Sequence, residues 1–247
     1  MRINKIKPHL SVIIPAYNEQ YRLGPHLKPV LKYLDTHYPN YELIIVDDGS
    51  TDNTAQTVSR AIAKEPRAKL VSYHPNRGKG YAIRTGVHAS RGSVVLFMDA
   101  DLSTPLEEIP HILHILKTAD IVIGSRGQDR TKVKKSPPIY RLLASYVFDQ
   151  VKFMLVGLRK FKDTQCGFKA YKGSIARQLF NLAKIDRFMF DAEILYLAEK
   201  ARLTIKEIPV DWSDSPGSHV RFWEGVVNML RDLWRIRQIH SRPVILA

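Results

Sequence analysis

The sequence predicts an α/β fold: a mostly parallel sheet with helices on both faces, followed by C-terminal amphipathic helices. Three observations carry that prediction. Five apolar runs of strand length recur between Leu10 and Gly124, helix-length stretches separate the first four, and each run empties into a polar loop rich in Asp, Asn, Gly or Ser. Alternation at this spacing is the pattern of right-handed βαβ units around a parallel sheet.

The elements follow in order. Leu10 to Ile14 reads as a buried strand ending at Pro15, and a helix covers about Gly24 to His37. Tyr41 to Val46 is a second strand, ending at Asp47-Asp48-Gly49-Ser50. Thr51-Asp52-Asn53 offers caps for a helix running to about Lys64. Ala68 to Tyr73 is a third strand, after which Asn76-Arg77-Gly78-Lys79-Gly80 opens a helix to about Ser90. Ser93 to Met98 is the fourth, delivering Asp99-Ala100-Asp101, and Asp120 to Gly124 is the fifth.

After Gly124 the rhythm breaks. Gly127 to Ser136 is a basic, turn-rich segment, and Pro137-Pro138 starts a helix from Ile139 to about Leu158. Asp191 to Ala201 reads as a helix, Leu203 to Val210 as a late strand, and Val220 to Ile239 as a last helix with a broad apolar face. The 139–158 and 220–239 helices admit two readings: packing on the sheet, or lying in the plane of a membrane with their Arg and Lys at its surface. The division expected is one large α/β domain over 1–215, with 216–247 forming an amphipathic helix and tail packed on or beside it.

Composition bounds the function. Of 247 residues, 45% are hydrophobic and 25% charged, the profile of an ordinary globular protein. The single Cys166 excludes an intramolecular disulfide and a Cys-rich zinc site, and fits a reducing cytosol. The apolar run after Met1 to Pro8 is too short for a signal peptide, and no window approaches the ~18 to 20 apolar residues of a membrane span. The expected location is therefore cytoplasmic. Net charge is +14, and the segment from Arg126 to Lys162 holds ten Lys or Arg against Asp129 and Asp149, a net +8. Such a surface favours nucleic acid, anionic headgroups or a phosphorylated substrate. No helix-turn-helix, RNA-recognition or zinc-finger signature is present, so nucleic acid is not expected.

Parallel strands place their carboxyl ends at one edge, the crevice where open α/β sheets bind ligands. Pro15-Ala16-Tyr17-Asn18-Glu19, Asp47-Asp48, Gly78-Lys79-Gly80, Asp99-Ala100-Asp101 and Gly124-Ser125-Arg126 then line one cleft. Two carboxylates one residue apart at a strand end suit a hard divalent cation, which wants oxygen ligands. Lys79 can meet an anion, and the flanking glycines let backbone approach a ligand.

At these residues the chain resembles the family 2 glycosyltransferases. Ser11 to Glu19, Val46 to Asp52 and Phe97 to Asp101 look like that family's nucleotide and metal motifs. The resemblance implies the GT-A fold, with its Rossmann-like sheet, and a nucleoside-diphosphate sugar donor held by Pro15, Ala16, Tyr17, Glu19, Asp47, Asp48, Lys79, Asp99 and Ala100. It places Asp47 near the base or ribose, makes Asp99 and Asp101 the seat of Mg²⁺ or Mn²⁺ with Asp101 leading, and implies inversion at the anomeric carbon. Asp163 to Lys169, Arg187 to Tyr196, Val210-Asp211-Trp212 and Gly217-Ser218 look like the dolichyl-phosphate β-glucosyltransferases and polyprenyl-phosphate relatives.

That narrower likeness implies a UDP-sugar donor, glucose in the leading reading, and a polyprenyl phosphate acceptor whose phosphate meets Arg126, Arg141 and Ser145. GDP-mannose, UDP-N-acetylglucosamine or a soluble glycan remain alternatives. A phosphate monoester is largely ionised near neutral pH and needs no obligatory base. Asp191, assigned to the catalytic group, and Glu193 are reserve candidates that could instead orient Lys169 or Arg126. The chain departs from its relatives at Ser103, a weaker ligand where mannose synthases carry Gln, and at Gly217-Ser218-His219, where a Lys is usual and His219 or Arg221 stands in. Relatives often carry a transmembrane anchor, so a membrane surface and an anchoring partner protein are expected on the cytoplasmic face.

Overall fold

A computed structural model describes residues 8–126, 154–213 and 222–246, with side chains on the final helix from Asn228 onward. Strands β1 (Leu10–Ala16), β2 (Tyr41–Asp47), β3 (Ala68–Ser72), β4 (Val94–Phe97), β5 (Ile121–Ser125), β6 (Lys169–Lys172) and β7 (Ile205–Pro209) form one sheet in the order β3-β2-β1-β4-β6-β5-β7. The described helices are α1 (Leu23–His37), α2 (Thr54–Ile62), α3 (Lys79–Ala89), α4 (Ile109–Leu116), α5 (Gly173–Leu182), α6 (Phe190–Lys200) and α7 (Phe222–Ile239).

Alternate residues along each strand point to opposite faces, and both faces are covered. Val12 and Ile14 pack with Leu27 and Val30 of α1, Val58 of α2 and Ile112 of α4. Ile13 faces the other layer, with Ile83 and Val87 of α3, Leu179 of α5, Leu195 of α6 and Leu233 and Ile236 of α7. The expected mostly parallel sheet with helices on both faces is what forms. β1 runs on through Pro15 to Ala16 because β4 has already ended opposite Ile13, so the missing Pro15 N–H falls beyond that ladder.

Three elements lie outside the expected set: α4, β6 and α5. β6 is the consequential one, because it runs antiparallel between β4 and β5 and sets Lys169 beside both Phe97 and Ile123. The start of β6 therefore shares the edge where β1, β2, β4 and β5 end. The proposed caps of α2 work differently from expectation. Asn53 makes no side-chain cap, and Asp52 instead accepts from the Thr54 N–H and hydroxyl. The predicted 139–158 helix lies outside the described residues except for a helical turn at 154–156. No helix among the described residues is long and apolar enough to cross a membrane.

Candidate active site

The loops after β1 and β2 are stitched together before they meet any ligand. The Asn18 N–H donates to Ser50 Oγ at 3.0 Å, the Glu19 N–H to Thr54 Oγ1 at 2.7 Å, and the Thr51 N–H to Asn18 Oδ1 at 2.9 Å. Asn18 sits at φ 55°, a left-handed conformation that Asn tolerates better than most residues. These bonds hold one wall of a cleft of about 390 Å³, lined by Pro15, Ala16, Tyr17, Glu19, Asp48, Lys79, Asp99, Ala100 and Asp101 from the predicted donor and metal set.

Asp47 is the exception in that set. It is buried outside the lining, and its carboxylate accepts the Ser50 N–H at 3.1 Å, which braces the turn. Asp48 touches the cleft, but its carboxylate is filled by protein donors. Oδ1 accepts from the Tyr73 hydroxyl and the Arg77 N–H, and Oδ2 from Asn76 Nδ2 and the Gly78 N–H, each at 2.8 Å. Asp48 thereby anchors the turn that presents Lys79. Gly78 occupies φ 108°, where an added Cβ would stand 2.7 Å from the Asp186 carbonyl, which is why this turn needs glycine.

At the cleft floor, Lys79 Nζ donates to Asp99 Oδ1 at 2.6 Å. Burial works against the ammonium, but the carboxylates of Asp99 and Asp191 outweigh it and hold its pKa above the ordinary value. Directly beneath, the fully buried Lys169 Nζ donates to Asp191 Oδ1 and to the Cys166 carbonyl, both at 2.6 Å. Asp191 thus orients Lys169, one of the two roles weighed for it. Burial raises its carboxyl pKa, while Lys169 and Lys79 oppose that rise. Glu193 does neither of the things weighed for it. Its carboxylate accepts the Lys184 and Ile185 N–H groups, both at 2.8 Å, and meets His240 Nε2 at 2.7 Å, so it ties the end of α7 to the loop before α6. Burial pushes the Cys166 thiol up to about 11, which leaves it a packing group.

The Asp-Ala-Asp turn is held from three sides. Asp101 Oδ1 accepts from the Ser103 N–H at 3.0 Å and hydroxyl at 2.7 Å, so Ser103 orients that carboxylate. His26 Nδ1 lies 3.1 Å from the Ala100 carbonyl. Gly167 abuts Asp99 so closely that an added Cβ would stand 1.9 Å from Oδ2. Gly167→Ala should therefore push Asp99 off Lys79 and lower turnover about 100-fold, the scale of an ångström-sized misplacement. Rates measured beside a thermal melt check this, since a matching collapse of the melting temperature would instead mean that the fold had given way.

Arg126, at the carboxyl end of β5, makes a two-pronged pair with Asp163, with Nε to Oδ2 at 2.7 Å and Nη2 to Oδ1 at 3.0 Å. Burial disfavours its charge, but Asp163 more than compensates and raises its pKa. Its guanidinium stands 5.6 Å from the Trp212 ring centre. Arg141, Ser145, His219 and Arg221 lie outside the described residues. Four cleft residues lie outside the loops that the sequence places there: Arg22, Ala82, Arg187 and Phe188. Arg22 forks onto Glu19 at 2.7 and 2.5 Å, and Arg187 and Phe188 line the cleft with Tyr17. The three-residue spacing of Glu19 and Arg22 was the available signal for the first; Arg187 and Phe188 sit in a stretch already singled out, with nothing local to aim them at the cleft.

The donor chemistry fits a hard divalent ion. Asp99 and Asp101 supply carboxylate oxygens to the cleft, the Ser103 bonds go to Oδ1 of Asp101 and not to Oδ2, and no cluster of three or more His, Cys, Asp or Glu suited to metal occurs among the described residues. Two protein oxygens with the remaining positions left to water and phosphate is the arrangement Mg²⁺-type ions accept.

This sheet and cleft define a nucleotide-sugar transferase, and the chain belongs to glycosyl transferase family 2, whose family model matches residues 11–180. It is a glycosyltransferase. Among its relatives is a protein of Dictyostelium discoideum named dolichyl-phosphate beta-glucosyltransferase, 38% identical over 93% of this chain and 74% of its own length. Proteins of the same name from Saccharomyces cerevisiae and Homo sapiens are 34% and 33% identical, over 94% and 92% of this chain and 75% and 74% of theirs. In solved structures, the fold matches glucosyl-3-phosphoglycerate synthase of Mycobacterium tuberculosis in complex with UDP, with TM-score 0.68, 20% identity, and coverage of 97% of this chain and 82% of that one. A complex of the same enzyme with Mn²⁺, UDP and glucosyl-3-phosphoglycerate matches with TM-score 0.61 and 19% identity, covering 97% and 82%.

Proposed function

We propose that this chain transfers glucose from UDP-glucose to a dolichyl-type polyprenyl phosphate, with inversion at the anomeric carbon, at the cytoplasmic face of a membrane. The observation that carries the reading is that relatives 33–38% identical over more than nine-tenths of the chain share one name, dolichyl-phosphate beta-glucosyltransferase. The cleft is built to serve it. Tyr17 and Phe188, each 41% exposed, offer aromatic faces for a base. Asp99 and Asp101 would hold Mg²⁺ or Mn²⁺, which when bound offsets diphosphate charge and stabilises it as a leaving group. Lys79 and Arg187 add positive charge to the same cleft.

On the acceptor side, Arg126 at the end of β5 would receive the lipid phosphate through Nη1 while Asp163 keeps its plane fixed. The ionised phosphate is already nucleophilic, so positioning and charge complementarity supply most of the rate. Lys169 and Asp191, bonded to each other and buried, act as the rigid floor and transfer no proton in this scheme. Arg141 and Ser145 belong to the same acceptor group.

The identifying experiment presents UDP-glucose, UDP-N-acetylglucosamine and GDP-mannose, each radiolabelled, with one short polyprenyl phosphate. Label should enter the organic phase from UDP-glucose alone; label confined to water-soluble product would overturn the acceptor. Arg126→Ala and Arg141→Ala should each lower turnover about 100-fold while UDP affinity stays within a factor of about two. Calorimetric titration of UDP checks this, and equal loss of UDP affinity in both would place these arginines on the donor side.

A further inference from the structure

Beside the donor cleft, sharing Asn76 and Arg187 with it, lies a second depression. It has a volume of about 360 Å³ and sits between the turn at Asn76-Arg77, the loop from Lys184 to Arg187, and α7. Among the described residues, its walls carry Arg77, Lys184, Arg187, Arg231 and Arg235 against Asp186 and Asp232. Asp186 is taken up by Arg77 at 3.3 Å and by Arg84. Asp232 is 8% exposed, and its burial raises its pKa against the pull of Arg231, Arg235 and Arg187. One carboxylate therefore faces Lys184, Arg187, Arg231 and Arg235. Uncompensated cations held around a concave polar surface make a site for a phosphate group.

The surroundings select the source of that phosphate. Leu233 and Ile236 bury one side of α7 in the core, which turns Arg231, Trp234 and Arg235 outward together. Trp234 is 55% exposed, and the same end of the chain exposes Ile239 and Ile245. An exposed indole beside guanidinium groups, on a chain end that also exposes aliphatic side chains, is the composition of a segment seated at a lipid headgroup layer. A site for a free nucleotide or a soluble phosphate would have no use for these apolar groups outside the pocket.

We infer that this basic pocket binds the phosphate of an anionic phospholipid headgroup, with Trp234 seated in the interface beside it, so that α7 docks the enzyme on the bilayer. The site is separate from the 126–162 basic block and from the acceptor phosphate group at Arg126. It requires neither glucose nor a polyprenyl acceptor to be the true substrates.

The test is co-sedimentation of the full chain with vesicles of phosphatidylcholine alone and of phosphatidylcholine doped with phosphatidylserine. The wild type should bind only the doped vesicles. Arg231→Gln with Arg235→Gln should lower the partition coefficient about 30-fold, at roughly 1 kcal/mol for each basic residue near the surface. Lys28→Gln with Lys32→Gln on α1 removes the same charge elsewhere and should change it less than about threefold. Trp234→Ala, which leaves every charge in place, should also weaken binding. Equal losses in the α1 and α7 variants would overturn the site in favour of diffuse charge attraction, and no loss in the α7 variant would overturn it outright. Saturable binding of inorganic phosphate or inositol hexaphosphate that the α7 variant abolishes, with vesicle binding intact, would overturn the lipid source. Unchanged melting temperature in the Gln variants keeps misfolding apart from lost docking, and the readout needs no sugar donor, so its failure leaves glucosyl transfer untouched.

Discussion

Asp101→Asn should lower turnover by about two to three orders of magnitude and abolish the dependence of UDP affinity on Mn²⁺ or Mg²⁺. A cation stabilising charge on a leaving diphosphate contributes several kcal/mol, and each 1.36 kcal/mol is tenfold in rate. The substitution is nearly isosteric, and its side-chain oxygen can keep both Ser103 bonds, so the loss reports charge and not shape. Ser103→Ala separates the two contributions. It retains the carboxylate and frees its orientation, for which a loss of about tenfold is expected. Asp99→Asn is the informative companion, because it also removes the negative charge paired with Lys79 at 2.6 Å. Initial rates and calorimetric UDP titrations, each with and without Mn²⁺, make the comparison. Retained metal dependence in Asp101→Asn with loss in Asp99→Asn would reverse the order in which the two acids are ranked.

The parts of this site that could be read from sequence were those whose placement follows from chain direction. Once β1, β3, β4 and β5 are parallel, Tyr17, Lys79, Asp99, Asp101 and Arg126 must share an edge, whatever the side-chain details. Packing across the sheet decided the rest. β6 has four residues, Lys-Ala-Tyr-Lys, with a lysine at each end, and nothing in so short and basic a run announces a strand buried between two others. Gly167 and Lys169 reach the floor of the cleft only because that strand runs backwards. Asp47 and Asp48 show the complementary limit: adjacent acids at a strand end look alike in sequence. The structure distinguishes them by where the surrounding N–H groups point, and it assigns both carboxylates to bracing turns. α4 is a different case, since Ile109–Leu116 is openly apolar.

The Lys169–Asp191 pair gives the largest expected effect on stability. Lys169 is fully buried, lies 5.3 Å from the Phe97 ring centre, and has the Asp191 carboxylate and one carbonyl as its polar partners. Removing one member of such a pair leaves the other charge uncompensated and costs about 3–5 kcal/mol. Lys169→Met should therefore lower the unfolding free energy by that amount, and Lys169→Met with Asp191→Leu should recover a large part of it. The pH dependence has a definite sign. Burial already raises the Asp191 pKa, and Lys169 is the foremost group restraining that rise. With Lys169 gone the folded-state pKa climbs further, so the folded variant binds a proton over a wider pH range than the unfolded chain does. A carboxyl whose pKa is raised by folding loses stability as pH increases from its unfolded toward its folded value. The deficit of Lys169→Met should thus be greatest at neutral pH and shrink on acidification, whereas the double variant should lack this component. Urea unfolding at a series of pH values reads both. A deficit that stays constant with pH would mean that Asp191 finds another cation, and Lys79, already within its field, is the residue to test next.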